Sequence, residues 1–409
     1  MILSNKELKE LCTKMLYKES INRPNLINDL FSASQNNSII ALSHRSSDSD
    51  CMITTFQLID RWFKSSFKGN LFLLDLNDRY DDVESKLKEL EELTFDDKVT
   101  NVLFVNGCQY IKATRLWLKK ILNLTRKHSN LKVYLIFNEI GFLYNKYFTK
   151  HNIASFELPA MMFSEYLYHN HKLTKINADE YGQYITNRIE NLTDYNGNLS
   201  EYLTNKIYTY LHHDAYDLHK KKFNMHAALS LLQFLAFTDI PVLDLKSTAF
   251  KLKMELSDLE QLIEILEATR IIKTLDLVDR DLKKRNLMLK YFTFFDPIYY
   301  FAFRDAVINS SLSSRFWVSM LVNAMPEINK FQVVEDHYSN LNEQVGIYLP
   351  DKKTFLQIGQ GEKPIGPLMN YLRKSELVTR PYYLNFQQLI NFIVNWQLKS
   401  WKKVKNKSR

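Results

Sequence analysis

The stretch "IIALSHRSSDSDCMITTFQLI" (Ile39–Ile59) decides the fold of the N-terminal part of the chain. It begins with the apolar run Ile39–Leu42, continues through a polar loop, and ends with apolar residues at helical spacing, among them Met52, Phe56 and Ile59. An apolar run, a loop and an amphipathic helix in this order are typical of the start of an α/β unit. The stretch therefore predicts a strand, a loop and a helix within an α/β domain.

Three further apolar runs repeat this pattern downstream. The predicted strands are "SIIALS" (38–43), "LFLLDL" (71–76), "NVLFVN" (101–106) and "KVYLIF" (132–137). The predicted helices between them span 51–66, 82–93 and 113–128. Strands that alternate with helices predict a parallel sheet, and near-continuous apolar strands fit a sheet covered on both faces. We therefore predict one α/β domain over residues 1–160.

The polar loop has the spacing of a phosphate-binding loop but not its chemistry. Such a loop follows the pattern G-x-x-x-x-G-K-[ST]. At that spacing Ser43 and Asp48 take the glycine positions, Ser49 takes the lysine and Asp50 the hydroxyl residue, while Arg45 does not stand at the lysine position. A phosphate cradle needs glycines for close backbone approach and a lysine against the phosphate charge. Two carboxylates here predict that the loop does not bind ATP–Mg²⁺.

Length and composition limit the classes of protein to which this chain can belong. A chain of 409 residues predicts two or three domains, and its 45% hydrophobic residues are ample for packed cores. The net charge of +8 permits nucleic acid or another acidic partner. The 3 cysteines include no close pair, which argues against a disulfide framework or a zinc site and favours a cytoplasmic setting. No apolar run approaches the ~18–20 residues of a membrane span.

The second half of the sequence has a different order of predicted helices and strands. Three helices are predicted, "MHAALSLLQFLAF" (225–237), "LKSTAFKLKMEL" (245–256) and "SDLEQLIEILEATR" (257–270). Two apolar runs, 271–278 and 287–295, then flank a charged tip. Three helices followed by a hairpin predict a winged helix-turn-helix. Ser257 with Glu260 three residues later predicts a capping box for the third helix.

Further on, "QVGIYLPDKKTFLQIG" (344–359) predicts a hairpin with Pro350-Asp351 at its turn, and a helix follows at 366–376.

Two segments carry a resemblance to a known family. The segment "FELPAMMFSEYL" (156–167) resembles the "LP-x-x-F-x-E-[YF]-L" segment of one group of prokaryotic AAA+-like ATPases. That group continues into a winged helix and a "YY-x-x-x-D" strand, to which "YFTFFDPIYYFAF" (291–303) is similar, and many members end in a restriction-endonuclease-like domain. The resemblance implies an α/β fold made of an AAA+-like parallel-sheet domain, a helical lid, a winged helix-turn-helix and a C-terminal α/β nuclease-like domain. The corresponding boundaries are 1–160, 161–222, 223–310 and 311–409.

The sequence departs from this family at its catalytic positions. Asn106 and Gly107 stand where the resemblance implies the Walker B acidic pair that holds Mg²⁺. In the nuclease-like part Gly346 stands at the position of the metal-binding Asp, and Gln357 and Gly359 replace the Glu and Lys. Acidic groups at such positions bind the metal that activates water. We therefore expect degenerate ATPase and nuclease motifs, no catalytic residue, no cofactor and no metal site.

Charge divides the predicted winged helix into two parts. Its third helix is acidic, with Glu255, Asp258, Glu260, Glu264 and Glu267 at or near it. The candidate DNA-binding residues lie instead on the wing and on the basic tail, and they are Arg280, Lys283, Lys284, Arg285, Lys402, Lys403 and Lys405. An acidic helix would be repelled by phosphates, whereas a wing can contact the backbone without it.

Three hypotheses for function follow. The first is a catalytically inactive AAA+-like binding or scaffolding subunit with a protein partner such as an active paralogue. The second is a sequence-independent DNA-binding protein of replication, recombination, mobile-element or defence systems. The third is an ATPase with a divergent nucleotide site. No membrane partner is expected, because the sequence has no apolar run long enough to span one.

Overall fold

The computed structural model describes most of the chain. The described residues are 3, 5–16, 23–43, 50–65, 67–76, 83–108, 111, 114–137, 148, 150–151, 153–158, 161–174, 176–190, 199–212, 224–237, 242–284, 286–300, 314–325, 330–335, 344–359 and 367–407. They divide into two compact units, Met1–His169 and Asn170–Arg409.

The first unit is built on a parallel five-stranded sheet in the order β2-β3-β4-β1-β5. Its strands are β1 Ile39–Ser43, β2 Asn70–Asp75, β3 Asn101–Asn106, β4 Leu131–Phe137 and β5 Ala154–Glu157. The four predicted strands are confirmed, and β5 was not predicted. This mixed α/β arrangement is consistent with the AAA+-like fold that the resemblance implies.

Helices cover both faces of this sheet. They are α1 Asn5–Leu16, α2 Pro24–Asn36, α3 Asp50–Lys64, α4 Val83–Glu92, α5 Thr114–Lys127 and α6 Phe163–His169. Even-numbered residues of β1, Ile40 and Leu42, pack in one core with α1, α2 and α3. Its odd-numbered residues, Ile39 and Ala41, pack in a second core with α4 and α5. Successive side chains of a strand point to opposite faces, so burial on both faces explains why these strands are apolar throughout.

The second unit begins with helices and continues into alternating helices and strands. Its helices are α7 Ala178–Glu190, α8 Leu199–Tyr210, α9 Met225–Phe237, α10 Leu245–Lys251, α11 Leu256–Ala268, α12 Ser314–Ala324, α13 Pro367–Lys374 and α14 Phe386–Lys407. Its strands are β6 Val242–Asp244, β7 Ile272–Val278, β8 Leu289–Phe294, β9 Gln332–Val334, β10 Gln344–Leu349, β11 Thr354–Gly359 and β12 Arg380–Leu384. Both predicted hairpins, β7–β8 and β10–β11, are confirmed as antiparallel pairs.

One seven-stranded sheet joins these two hairpins, in the order β12-β11-β10-β9-β7-β8-β6. The link is β9, a three-residue strand that pairs parallel with β7 and antiparallel with β10. In this register Asp276 lies beside Gln332, and Val278 lies beside Val334. The hairpin of the predicted winged helix and the strands of the predicted nuclease-like part therefore share one hydrogen-bonded sheet.

The capping box predicted for α11 is wrong. The helix begins at Leu256, its N-cap is Glu255 in an extended conformation, and no side chain caps it. Lys253, in the connection after α10, has a positive φ of 55°. The backbone thus turns sharply just before Glu255, and Ser257 lies inside the first turn of the helix rather than at its cap.

Candidate functional site

The carboxyl ends of the five parallel strands form the edge where α/β proteins bind ligands. At this edge β1 lies beside β4, and the chain leaves these two strands in opposite directions, from β1 toward β2 and from β4 toward β5. Ser43 ends β1, is fully buried, and its carbonyl accepts a 2.7 Å hydrogen bond from the Leu158 amide. Of the predicted nucleotide loop, Arg45, Asp48 and Ser49 lie outside the described residues. Asp50 begins α3, and its side chain is outside the described part.

Asn106, which the resemblance places at the Walker B position, ends β3 and is 1% exposed. Its amide Nδ2 donates to Oδ1 of Asp75 over 3.2 Å, and its carbonyl accepts from the Leu76 amide over 2.9 Å. Gly107 follows with a φ of 80°, a conformation that glycine adopts without strain, and its amide donates to the Ile136 carbonyl. An amide side chain can orient a neighbouring carboxylate, but unlike an acidic residue it brings no negative charge to a metal ion.

Lys86 is a member of this edge that sequence reasoning missed. Its side chain is buried, at 6% exposed, and its Nζ donates to the Asp75 carbonyl over 2.8 Å. The signal was present in the sequence, because Lys86 stands three residues after Val83 and four before Leu90, on the apolar stripe of α4. An ammonium group therefore lies against the end of β2. Within the described residues, no group of three acidic, histidine or cysteine side chains is placed to hold a metal.

The segment 156–167, which carried the resemblance, has a structural role in the first unit. Phe163, Tyr166 and Leu167 of α6 are buried. Glu165 accepts the Met162 amide at Oε2 over 2.9 Å, which caps the first turn of α6. Its Oε1 accepts from Nε of buried Arg23 over 3.0 Å. Through these two hydrogen bonds Glu165 connects α6 to Arg23, the residue that precedes α2.

Two cations of the predicted wing, Arg280 and Lys284, contact side chains of their own chain. Lys284 and Lys290 donate to Asp276 over 2.7 and 2.5 Å. Partial burial opposes the ionised form, but the hydrogen bonds from Lys284 and Lys290 prevail and lower the pKa of Asp276. The Arg280 guanidinium lies 5.3 Å from the ring centre of Tyr371 on α13. The Tyr371 hydroxyl donates a hydrogen bond to Asp281.

Of the remaining DNA-binding candidates, Lys283 has no ion pair with a described residue, and Arg285 lies outside the described part of the chain. Lys402, Lys403 and Lys405 lie in the final turns of α14, and their side chains are outside the described part. Within the described residues, these cations and the acidic α11 therefore do not form one site.

The predicted nuclease positions do meet in space, but as parts of a packed core. Gly346 and Gln357 are cross-strand partners, and Gly359 pairs with Gln344. A Cβ at Gly346 would lie 2.9 Å from the Phe355 ring, so the space for an aspartate side chain is filled. Gln357 is 8% exposed, and its Nε2 donates to Oε1 of Gln344 over 3.1 Å.

Comparisons with known proteins add little to this geometry. No protein-family model matches the chain, and no curated protein matches it. Similar solved structures include Saccharomyces cerevisiae RIF2, at 13% identity and a TM-score of 0.27, over 56% of this chain and 82% of that one. They also include C. elegans PCH-2, at 13% identity and a TM-score of 0.28, over 62% and 71% of the two chains. Aeropyrum pernix ORC1, solved in complex with DNA, is 10% identical with a TM-score of 0.25, over 71% and 89%. TM-scores of this size do not establish a shared fold.

In the described part of the chain, no helix has both the length and the apolar character that crossing a membrane requires.

Proposed function

We propose that the chain is a catalytically inactive AAA+-like protein that serves as a binding or scaffolding subunit of a larger complex. The observation that carries this proposal is the pair formed by Asn106 and Asp75. The side chain at the end of β3 is an amide, and it donates a hydrogen bond to the Asp75 carboxylate. A P-loop ATPase places a carboxylate there to hold Mg²⁺ and its water. Together with the sequence of the loop 43–50, this favours loss of nucleotide chemistry.

The second unit supports a role in binding rather than cleavage. We propose that α9, α10, α11 and the β7–β8 hairpin form a winged helix-turn-helix, because α10 and α11 are joined by four residues and the hairpin follows directly. We also propose that β9 to β12 with α13 are the remains of a nuclease-like domain. The filled space at Gly346 supports a loss of cleavage in this part, because a metal-binding carboxylate at that position would displace Phe355.

The acidic surface of α11 favours a protein partner over DNA. This helix exposes Asp258, Glu260 and Glu264. If it lay in the major groove, these carboxylates would be close to the DNA phosphates, which would repel them. The wing offers little compensation, since Lys284 is paired with Asp276 and Arg280 lies on Tyr371. The DNA-binding alternative therefore depends on Lys283, on Arg285 and on the basic tail.

Two measurements test the proposal. Calorimetry with ATP–Mg²⁺ on the full chain is expected to give no binding heat, and micromolar affinity that is lost in Asp48→Ala or Asp50→Ala would contradict it in favour of a divergent ATPase. DNA binding is measured by fluorescence anisotropy at about 50 mM salt, where non-specific contacts are strongest. The proposal expects weak binding at most, with a steep salt dependence and little preference for sequence. Tight, sequence-specific and salt-insensitive binding would contradict it.

A further inference from the structure

We propose that β12 and the outer face of α14 form a binding surface for single-stranded nucleic acid. The surface consists of an aromatic row, Tyr382, Phe392 and Trp396, with Arg380 beside it. It is a different surface from the wing, and its ligand is different from duplex DNA. The inference goes beyond the scaffolding role proposed above, because it gives this chain a ligand of its own and does not depend on the nucleotide loop.

Three aromatic side chains lie in a row across β12 and α14. The ring centres of Tyr382 and Phe392 are 5.6 Å apart, and those of Phe392 and Trp396 are 6.0 Å apart. The planes of neighbouring rings are tilted by 59° and 34°. Tyr382 is 38% exposed, and Phe392 and Trp396 are partly exposed. The rings therefore contact one another at the surface, while part of each remains open to solvent.

The rings of α14 lie outside the buried face of this helix. That face is formed by the aliphatic side chains Leu389, Ile390, Ile393 and Val394, each at most 2% exposed. With 3.6 residues per turn, Phe392 and Trp396 lie one turn apart on the outer side, together with the exposed Gln388 and Asn395. Single exposed apolar residues are normal at a protein surface, whereas a contiguous apolar patch indicates a site of interaction.

The segment that carries the row has no acidic side chain, since residues 377–409 contain neither aspartate nor glutamate. Arg380 begins β12 and is exposed. Because residues two apart in a strand point to the same face, Arg380 lies on the same side of β12 as Tyr382. Its guanidinium forms no ion pair with a described residue. A cation thus lies next to the first ring of the row.

The turn between β10 and β11 adds cations to the same end of β12. The amides of Thr379 and Arg380 donate to the Lys353 carbonyl over 2.9 and 3.3 Å. Lys352 and Lys353 are exposed, as is Asp351, the acidic residue of this turn. Neither lysine forms an ion pair with a described residue. Three cations against one carboxylate leave this end of β12 positive.

Aromatic rings beside cations fit single-stranded nucleic acid. Unpaired bases stack on exposed aromatic side chains, and a positively charged groove follows the phosphates. In a duplex the bases are stacked on one another inside the helix, so their faces are out of reach of these rings. A proline-rich peptide also binds to aromatic side chains, but proline carries no charge and gives no role to the cations. Rings and positive charge together therefore favour the single strand.

The acidic α11 does not oppose this ligand. It packs against α10 and β7. β12 is one edge of the seven-stranded sheet, and β9, β10 and β11 separate it from β7. Four strand spacings of ~4.8 Å place β12 roughly 19 Å from β7, which exceeds the screening length of about 8 Å at physiological salt. Repulsion between α11 and a strand bound at β12 is therefore weak.

The test is fluorescence anisotropy of the full chain at about 50 mM and about 200 mM salt. The probes are a labelled thymidine oligonucleotide of about 20 nucleotides, a duplex of equal length and the corresponding uridine strand. We expect the single DNA strand to bind at least about tenfold more tightly than the duplex. The uridine strand should bind equally well within about threefold, because neither stacking nor phosphate contact reads the 2′-hydroxyl.

Two variants separate stacking from charge. Tyr382→Leu removes a ring, and we expect it to weaken binding roughly tenfold with an unchanged salt dependence, whereas Tyr382→Phe should retain the affinity. Arg380→Ala removes one phosphate contact, so the slope of log affinity against log salt should become shallower by about 0.7. The matched controls are Tyr208→Leu, at a residue that is 48% exposed on α8, and Arg126→Ala on α5. Neither control should change binding.

Circular dichroism checks that each variant is folded, and Arg380→Ala at an exposed position keeps the test decisive if Tyr382→Leu does not fold. Equal affinity for single strand and duplex would overturn the proposal, as would unchanged binding in folded Tyr382→Leu. Controls that weaken binding as much as their matched variants would also overturn it. A proline-only peptide that binds more tightly than the oligonucleotide would replace it with a proline-rich protein partner.

Discussion

Arg23 and Glu165 lie 142 residues apart in the sequence and form a buried ion pair, in which Nε donates to Oε1 over 3.0 Å. Their side chains are 3% and 8% exposed. The same glutamate accepts the Met162 amide, so one carboxylate holds both the start of α6 and the residue before α2. The N-terminal helices and the segment after β5 therefore depend on one another through a single charged group.

Removal of the guanidinium should destabilise the first unit strongly. Arg23→Met leaves the Glu165 carboxylate buried without its counter-charge, and we expect the free energy of unfolding to fall by about 3–5 kcal/mol. Adding Glu165→Gln should recover part of this loss, because the amide oxygen can still accept from Met162. The measurement is urea unfolding of the full chain. The control is Lys64→Met, which breaks the exposed pair with Asp60 and should cost at most about 0.5 kcal/mol. Equal losses in the two variants would disprove the role given to Arg23.

Restoring a carboxylate at the end of β3 should destabilise the fold rather than restore activity. Asn106→Asp would face Asp75 across the present 3.2 Å contact, and two close carboxylates do not ionise independently. One folded-state pKa would therefore be raised, so the penalty should be absent below pH ~4 and reach about 2 kcal/mol at pH 7. Thermal melts at several pH values check this. The swap Asp75→Asn with Asn106→Asp should regain stability, and a stable single variant that hydrolyses ATP would contradict the prediction.

The wing should lose stability in acid through Asp276. The lysines that bind it lower its folded-state pKa, so its contribution is present above the unfolded value of about 3.9 and is lost as the pH falls. Asp276→Asn should therefore reduce stability by about 1 kcal/mol at pH 7 and by less at lower pH. Asp258→Asn on α11 is the control, because Asp258 forms no ion pair with a described residue. A pH-independent effect of Asp276→Asn would exclude this explanation.

The buried thiols should resist alkylation. Burial, with a smaller effect from the charge of Asp60, raises the pKa of Cys12 to about 12. Burial also raises the pKa of Cys108 well above its usual range. Alkylating reagents attack the thiolate, so neither residue should react with iodoacetamide at pH 8 in the folded chain. Mass spectrometry of digests should show full labelling only after unfolding in urea. Native labelling at the unfolded rate would contradict the described burial.

Apolar patterning predicted the parts of the fold that are long and continuous. β1 to β4 are runs of five to seven residues buried in the sheet. β5, with the sequence "ASFE", and the three-residue strands β6 and β9 carry no such pattern. They are strands because a neighbouring strand offers them hydrogen bonds, as β1 does for β5, and such distant pairing leaves no local signal in the sequence.

The candidate sites were predicted less completely, for an electrostatic reason. Sequence position identified Asn106 as the end of β3, but not its bond to Asp75, which comes from the adjacent strand. Lysines of the wing were assigned to DNA by their charge alone. Lys284, one of these lysines, pairs with Asp276, so the fold of the hairpin, rather than composition, determines which cations are already neutralised.

The pairing of β9 with β7 has a consequence for dissection of the protein. A fragment that ends at residue 310 would lack β9, so the outer edge of β7 would present unpaired amides and carbonyls over Asp276–Val278. A fragment that starts at residue 311 would expose the matching edge of β9. Open edges of this kind recruit strands from other molecules and drive aggregation. The seven strands should therefore be expressed, purified and unfolded as one cooperative body, with Asn170 as the safer place to divide the chain.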